Sequence, residues 1–330
     1  MIKKALISGI AGQDGSYLAE HLLSLGYEVH GIIRYSSLGD RARLWRIRNI
    51  LDQLYLHYAD INNYQSIYKV FQLVKPDECY HLAAQSFVKV SFEDEFSTMG
   101  TNVNGTHYIL SALKDICPEC KFYFAASSEM FGQAEITPQN EKTKFHPRSI
   151  YGISKVAGYE ITRHYREAYN IFACSGILFN HESSRRSTDF VTRKITNTAA
   201  MIKAGHARKI RLGNIEAMRD WGYAKDYVVA MYNMMQHDTP DDFVIASGVS
   251  HSVRKFLDLT FKMMGLNYEN YLEIDKNFFR PTDVNALVGD SHKAKSILGW
   301  ENKTSFEELV QIMVESDWAQ ENSTKQDYFI

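Results

Sequence analysis

Two textures alternate along the first half of the chain. Short, continuous apolar runs are separated by segments in which apolar residues recur every three or four positions. "KKALIS" reads as a buried strand and "GIAGQDG" as a glycine turn, and a helix follows in which Leu18, Leu22, Leu23 and Leu25 keep a helical spacing against polar neighbours. Beyond Gly26 the pattern continues with "EVHGII" and "LYLHYADI" as strands, "YQSIYKVFQLV" as a helix and "ECYHLAAQ" as a strand. "VNGTHYILSALKDI" then reads as a helix and "CKFYFAASS" as a strand. Strands alternating with helices of this length predict a parallel sheet covered on both faces. Such sheets bind ligands outside the carboxyl ends of their strands, where Ser127, Ser128 and Glu129 stand.

The second half changes character. A long helix is expected after "HPRS", carrying "IYGISKVAGYEITRHYREAY", and "ACSGILFN" reads as one more strand. Polar, arginine-rich stretches follow, among them "HESSRRSTDFVTRKIT", "GNIEAMRDWGYAKDYV" and "KNFFRPTDVNALVGD". These suit loops and short helices laid over a sheet to hold a polar substrate. "DFVIASG" at 242–248 is again a continuous apolar run and is expected to return to the main sheet. The fold class is therefore α/β, a doubly wound parallel sheet of Rossmann type with a smaller, discontinuous α/β substrate-binding domain. The expected division is 1–179, with a return near 212–248, for the dinucleotide-binding domain. Residues 180–211 and 249–330 are left for the substrate-binding domain.

Composition narrows the partners. A chain of 330 residues, 45% hydrophobic and 23% charged with a formal net charge of -2, has no electrostatic reason to bind nucleic acid or an anionic membrane. The basic stretch Arg41, Arg43, Arg46 and Arg48 is one segment in a weakly acidic chain, so a solvated helix face or a subunit contact is expected. The Met-Ile-Lys-Lys start lacks the features of a secretory signal, and no apolar run is long enough to span a bilayer, so the expected location is cytoplasmic. Four cysteines are too few for a disulfide framework. Cys117-Pro-Glu-Cys120 has CxxC spacing, but no second pair completes a zinc site, and it is read as a helix-to-strand loop. No metal site is expected.

The chemistry gathers at the strand ends. Gly9-x-x-Gly12-x-x-Gly15 lies between the first strand and the first helix, where glycines let the backbone approach a pyrophosphate and the helix N-terminus offers free N–H groups. The second strand ends on Arg34 where an NAD site usually has an acid, which favours NADP with NAD as the alternative; the competing reading is a solvated surface arginine. Asp60 accepts either from the adenine amine or from the helix that follows it. The expected cofactor set is Gly9, Gly12, Gln13, Asp14, Gly15, Arg34, Asp60, Ile61, Leu82 and Ala83, with Tyr151 and Lys155. Tyr151 and Lys155 are i and i+4 on one helix, so phenol and ammonium are neighbours and the lysine is expected to lower the tyrosine pKa. Glycines, Ser127 and YxxxK together resemble the extended short-chain dehydrogenases. Glu129 adds a carboxylate beside them, suited to removing a proton next to a newly formed ketone.

Several blocks resemble the GDP-mannose 4,6-dehydratase family: "GIAGQDGSYLAEHLL", "HLAAQS", "SSE", "YGISK", "GILFNHESSRR", "FVTRKIT", "RDWGYAKDY", "FFRPTDV" and "VGDSHKAKSILGW". They run from residue 5 to about residue 316, and "NHESSRR" with "RDWG" is far more specific than the glycines. The resemblance implies a catalytic tetrad of Ser127, Glu129, Tyr151 and Lys155, with Ser127 where the family usually has threonine. It places Ser86, Asn180, Val191, Lys194, Arg219 and Arg280 around the GDP-sugar, and arginine and lysine suit its pyrophosphate. It implies a hydro-lyase converting GDP-mannose to the 4-keto-6-deoxy sugar, and a homo-oligomer, tetramer or dimer. GDP-manno-heptose is the competing substrate, and epimerases and decarboxylases of related sugars share the generic motifs. Three departures stand out: Arg34-Tyr35 in place of two arginines, Tyr223 in place of histidine, and Phe131 in place of tyrosine.

Overall fold

The computed structural model of the chain describes residues 2–35, 44–279, 282 and 286–326. The first strands are β1 (Lys4–Ser8), β2 (Glu28–Ile33), β3 (Leu54–Tyr58), β4 (Glu78–His81), β5 (Lys121–Ser127) and β6 (Ala173–Leu178). They are followed by β7 (Asn180–Glu182), β8 (Ile210–Leu212), β9 (Met218–Tyr223), β10 (Phe243–Ile245), β11 (Ser250–Ser252), β12 (Leu272–Ile274) and β13 (Ala286–Leu287). The helices between them are α1 (Gln13–Ser24), α2 (Tyr64–Val74), α3 (Glu95–Met99), α4 (Gly105–Ile116) and α5 (Ile150–Tyr169). Later come α6 (Val191–Ala204), α7 (Ala224–Gln236), α8 (Val253–Met263), α9 (His292–Leu298) and α10 (Phe306–Gln326).

Seven parallel strands form the main sheet in the order β10-β6-β5-β4-β1-β2-β3. The expected doubly wound sheet is present, and β10 is the expected return of "DFVIASG". Except for the edge strand β3, its strands are buried on both faces, which explains their apolar runs. On β5, Phe122 and Phe124 face the core shared with α2 and α4, while Tyr123 and Ala125 face the core shared with α1 and α7. The order in which strands are added to the sheet reverses at the parallel pair β1–β4, so the crevice at their carboxyl ends is the topological switch point.

Local signals set the helix limits. Asn63 caps α2 by accepting from Ser66 N at 3.0 Å, and Ser149 caps α5 by accepting from Gly152 N at 3.0 Å. α5 stops where Asn170 takes a left-handed conformation at φ +54°.

The smaller sheet joins β11, β9 and β13, with β7 also on β9, and β12 pairs with β8. α6, α8 and α10 pack together beside it around Ile195, Phe256, Trp221 and Met313. The stretch 212–248, expected to return to the main sheet, splits. β9 belongs to the small sheet, whereas α7 packs on α1 and β10 on β6. Near the other end, Ala294 and Trp300 join the core under α1 and α7, and Trp300 Nε1 donates to Asp226 O at 2.9 Å. Asp220 ties the two sheets together. Fully buried on β9, it accepts from Ser247 N (2.9 Å), Ser247 Oγ (2.6 Å), Gly248 N (2.9 Å) and Gly289 N (3.2 Å).

Candidate active site

At the switch point the chain passes from β1 through Gly9–Gly12 into α1. Gly9 sits at φ +79°, and a Cβ there would lie 2.8 Å from Ala83 N; a Cβ on Gly15 would lie 2.3 Å from Gly9 O. Only hydrogen fits at either position, so the turn lies flat against the end of β4. Gly12 precedes α1 in an extended conformation, and no side chain caps the helix. An uncapped N-terminus above a side-chain-free cradle fits a pyrophosphate, so these residues fit a dinucleotide.

Two members of the expected cofactor set turn their side chains into the protein instead. Gln13 Nε2 donates to His181 O (3.0 Å), Ser183 Oγ donates to Gln13 Oε1 (2.8 Å), and His181 Nε2 donates to Asp14 Oδ2 (2.8 Å). His181 Nδ1 faces Phe179 O at 2.7 Å. Both ring nitrogens thus point at acceptors, and the ring is a buried imidazolium stacked on Tyr227. Burial opposes that charge, but the Asp14 carboxylate outweighs it and raises the His181 pKa. Asp14, also opposed by burial, is lowered by the same pair. Arg46 joins the clamp by donating to Arg185 O (2.6 Å) and Ala11 O (3.3 Å). This corrects the expectation of a solvated face for Arg46; Arg41 and Arg43 lie outside the described residues. The sequence singled out "NHESSRR" as a block, but only the fold shows that it grips the glycine turn.

The four expected catalytic residues converge beside this turn. Ser127 ends β5, and its Oγ accepts from Glu129 N (3.3 Å) and also hydrogen-bonds the Tyr151 phenol. Tyr151 and Lys155 share the inner face of α5 and are both buried. Lys155 Nζ donates to Ala125 O (2.7 Å) and lies 5.9 Å from the centre of the Tyr151 ring. Burial pushes the Tyr151 phenol up to about 12, and the Glu129 carboxylate adds to this; Ser127 and Arg186 pull the other way. Burial brings Lys155 down to about 8. The net shift of Tyr151 is thus upward, set by burial and not by its lysine.

Buried residues that the sequence reading missed support this cluster. Asn102 Nδ2 donates to Ser154 Oγ (2.9 Å) and Gln85 O (3.0 Å), and Ser154 Oγ donates to Tyr151 O (2.7 Å). His81 lies between Ser8 Oγ (2.7 Å) and Thr106 Oγ1 (3.1 Å), with its pKa brought down to about 3 by burial and then by Lys155. It is a neutral ring that ties β1, β4 and α4 together. A side chain paired only with backbone or hydroxyls leaves no spacing signal in a sequence.

A cavity of about 550 Å³ opens between α6 and the small sheet. Four expected substrate residues line it, Asn180, Val191, Lys194 and Arg219, joined by Glu182, Phe190, Trp221 and Phe278. Its volume is in the range of small-molecule sites. Lys194 Nζ sits 3.6 Å from the centre of the Phe278 ring. Burial lowers the lysine pKa, and Asp275 partly restores it. Arg219 is buried and gives one donor to Met218 O (2.8 Å). Glu182 connects cavity and clamp, pairing with Arg186 Nε (3.2 Å) and accepting from Thr192 Oγ1 (2.5 Å).

Other expected residues are placed differently. Ser86 is exposed and does not line the cavity, and Arg280 lies outside the described residues. Arg34 is exposed at the end of β2. Asp60 Oδ1 accepts from Asn62 N (2.9 Å), which corrects the capping alternative, since Asn63 caps α2. Ile61 is buried in the core, and Leu82 and Ala83 flank the glycine turn. Tyr223 stacks edge-on against Tyr17 of α1, 6.1 Å between ring centres, and Phe131 is buried against Phe145 and Phe179.

A doubly wound sheet with three glycines at its first turn and a Ser-Tyr-Lys cluster at the switch point places the chain among the short-chain dehydrogenase/reductase folds. Solved structures agree. The UDP-glucose 4-epimerase of Thermotoga maritima, solved with UDP-glucose, superimposes with a TM-score of 0.85 at 24% identity, covering 97% of this chain and 99% of the other. A dTDP-glucose 4,6-dehydratase from Bacillus anthracis, solved with NAD, gives 0.82 at 20% identity, covering 98% of each. Sequence comparison is more specific. The family model for GDP-mannose 4,6 dehydratase matches residues 6–313, and the chain belongs to that family. It is 51% identical to GDP-mannose 4,6 dehydratase 1 of Arabidopsis thaliana, covering 96% of this chain and 90% of the relative. It is 45% identical to the human GDP-mannose 4,6 dehydratase, with 95% and 91% covered.

Proposed function

We propose that the protein is a GDP-mannose 4,6-dehydratase, a hydro-lyase that yields GDP-4-keto-6-deoxymannose. The observation that carries this reading is Glu129, held by its backbone N–H to Ser127 and close enough to raise the Tyr151 pKa. A simple dehydrogenase has no work for a carboxylate there. The glycine turn, α1 and the ends of β1 to β4 hold a nicotinamide dinucleotide, which supplies a hydride acceptor and then a hydride donor. Arg34 supports NADP over NAD. The cavity lined by Asn180, Val191, Lys194 and Arg219 holds the GDP part, directing the sugar toward Ser127 and Tyr151.

The chain's own residues divide the proton chemistry. Ser127 holds the C4 hydroxyl, and Tyr151 takes its proton as C4 becomes a ketone. The ketone acidifies the C5 proton, which Glu129 removes, and the C6 hydroxyl leaves as water with a proton from the same carboxyl group; the C5–C6 double bond so formed would take back the hydride at C6 and a solvent-exchangeable proton at C5. Lys155 holds the tyrosine face of α5 in place through Ala125 O and supplies a nearby positive charge when protonated. The main-sheet half acts as the dinucleotide-binding domain and the α6–α8–α10 half as the nucleotide-sugar domain. The same reading makes the protein a cytoplasmic homo-oligomer.

The test is turnover of GDP-mannose in heavy water. The expected product carries deuterium at C5 and, on treatment with alkali, gives the near-ultraviolet absorbance of a 4-keto sugar. Turnover without C5 exchange would defeat the mechanism. Reaction with GDP-manno-heptose and none with GDP-mannose would defeat the substrate assignment.

A further inference from the structure

The pair Cys117-Pro-Glu-Cys120 takes no part in the reaction proposed above. It sits at the amino end of β5, the opposite end of that strand from Ser127, about 20 Å away for a strand of this length. Cys117 follows the last turn of α4, and the chain folds back at once, with Cys120 N donating to Cys117 O at 2.9 Å. Pro118 occupies the second position of this four-residue turn, which suits its fixed φ. Such a turn holds its end Cα atoms within about 7 Å, the span that a disulfide requires.

The two thiols are unequal. Cys117 is partly exposed, while Cys120 is buried at 2% and points its thiol to Lys121 O (3.4 Å). The neighbouring Cys120 thiol lowers the Cys117 pKa against the effect of burial; Asp77 opposes this lowering and Lys75 assists it. Burial raises Cys120 well above the ordinary thiol value. A partly exposed thiol whose pKa is lowered, one tight turn away from a buried thiol whose pKa is raised, is the arrangement of an attacking and a resolving cysteine. Cys79, buried on the neighbouring strand β4, is close enough to both to influence them electrostatically. Among the described residues no group of three or more histidine, cysteine or acidic side chains is disposed to hold a metal ion.

We propose that Cys117 and Cys120 form a reversible dithiol–disulfide site, with Cys117 as the attacking and Cys120 as the resolving thiol. The oxidant is a low-molecular-weight disulfide. The Cys117 thiolate attacks one of its sulfurs, forming a mixed disulfide and releasing one thiolate. Cys120 then loses its proton and attacks Cys117 Sγ, closing the internal disulfide and releasing the second thiolate. The two cysteines give up two electrons and two protons, and the oxidant is reduced to two thiols.

The experiment treats the folded full-length chain with oxidised glutathione and follows it by intact mass, peptide mapping and thiol count. The wild type is expected to lose two thiols and two hydrogens, to cross-link residues 117 and 120, and to recover with dithiothreitol. The C120S variant is expected to stop at the mixed disulfide on Cys117, and C117S to react at least about tenfold more slowly. A wild type that accumulates the mixed disulfide, that links Cys117 to Cys79, or that stays fully reduced while C120S is modified would overturn the assignment. None of these readouts depends on turnover of a nucleotide sugar.

Discussion

Replacing Asp14 by asparagine tests the clamp between the glycine turn and the 181–186 loop. Both ring nitrogens of His181 face acceptors, Asp14 Oδ2 at 2.8 Å and Phe179 O at 2.7 Å, so the wild-type ring carries two protons and a full charge. The side chains keep only 20% and 11% of their surface exposed for Asp14 and His181. Two unit charges about 4 Å apart interact by about 4 kcal/mol at an effective dielectric constant near 20. The remaining exposure and the opposing Arg186 guanidinium reduce this to about 2–3 kcal/mol. The raised His181 pKa makes its share complete below the unfolded value of about 6.5, and that share is lost as pH rises through the folded value. The lowered Asp14 pKa makes its share complete above about 3.8, and it is lost as pH falls. The pair is therefore strongest between about pH 4 and 6.5. In D14N a neutral imidazole can accept from the new amide, so the loss at about pH 9 falls to about 1 kcal/mol. The assay is urea unfolding of wild type, D14N, H181Q and the double variant at about pH 6 and pH 9, read as a double-mutant cycle. A coupling energy that is the same at both pH values would refute the imidazolium, and one below about 0.5 kcal/mol would refute the clamp.

Three further outcomes follow from the site. E129Q is expected to lose about 10² to 10⁴ in dehydration rate while still oxidising C4, seen as cofactor reduction without deuterium entering C5. Burying the Lys155 ammonium, with its pKa brought to about 8, costs about 3 kcal/mol at neutral pH, and losing its bond to Ala125 O costs about 1. K155M should therefore abolish turnover yet unfold at higher urea by about 2 kcal/mol, and it should lose the wild-type rise in stability between about pH 8 and 10.5. A K155M chain less stable than wild type at neutral pH would count against that balance. R219A and K194A should each weaken GDP binding by about 10- to 100-fold in calorimetry, the worth of a charge-assisted hydrogen bond; unchanged affinity would move the nucleotide out of this cavity.

What could be read in the sequence and what could not divide along physical lines. The main sheet was legible because its strands other than the edge strand β3 are buried on both faces and so written as apolar runs, down to the short β10 in "DFVIASG". β9 was not, because "MRDWGY" joins a small sheet through a strand whose buried members include Arg219 and Asp220. Burial there is stabilised by hydrogen bonds from Ser247, Gly248 and Gly289, and no periodicity encodes those partners. The same reasoning sorts the site. Ser127, Glu129, Tyr151 and Lys155 were found because one strand end and one helical turn fix their spacing. The raised pKa of Tyr151 and the lowered pKa of Lys155 could not be read there, because they depend on how deeply the packing buries the two groups, a quantity that spacing does not carry. Gln13 and Asp14 were assigned to the cofactor on position alone, whereas their side chains bind the loop from His181 to Ser183. Within that loop Glu182 also lines the cavity beside α6. Residues 181–186 thus contact the glycine turn at one end and line the cavity through Glu182, a juxtaposition that no spacing in the sequence encodes.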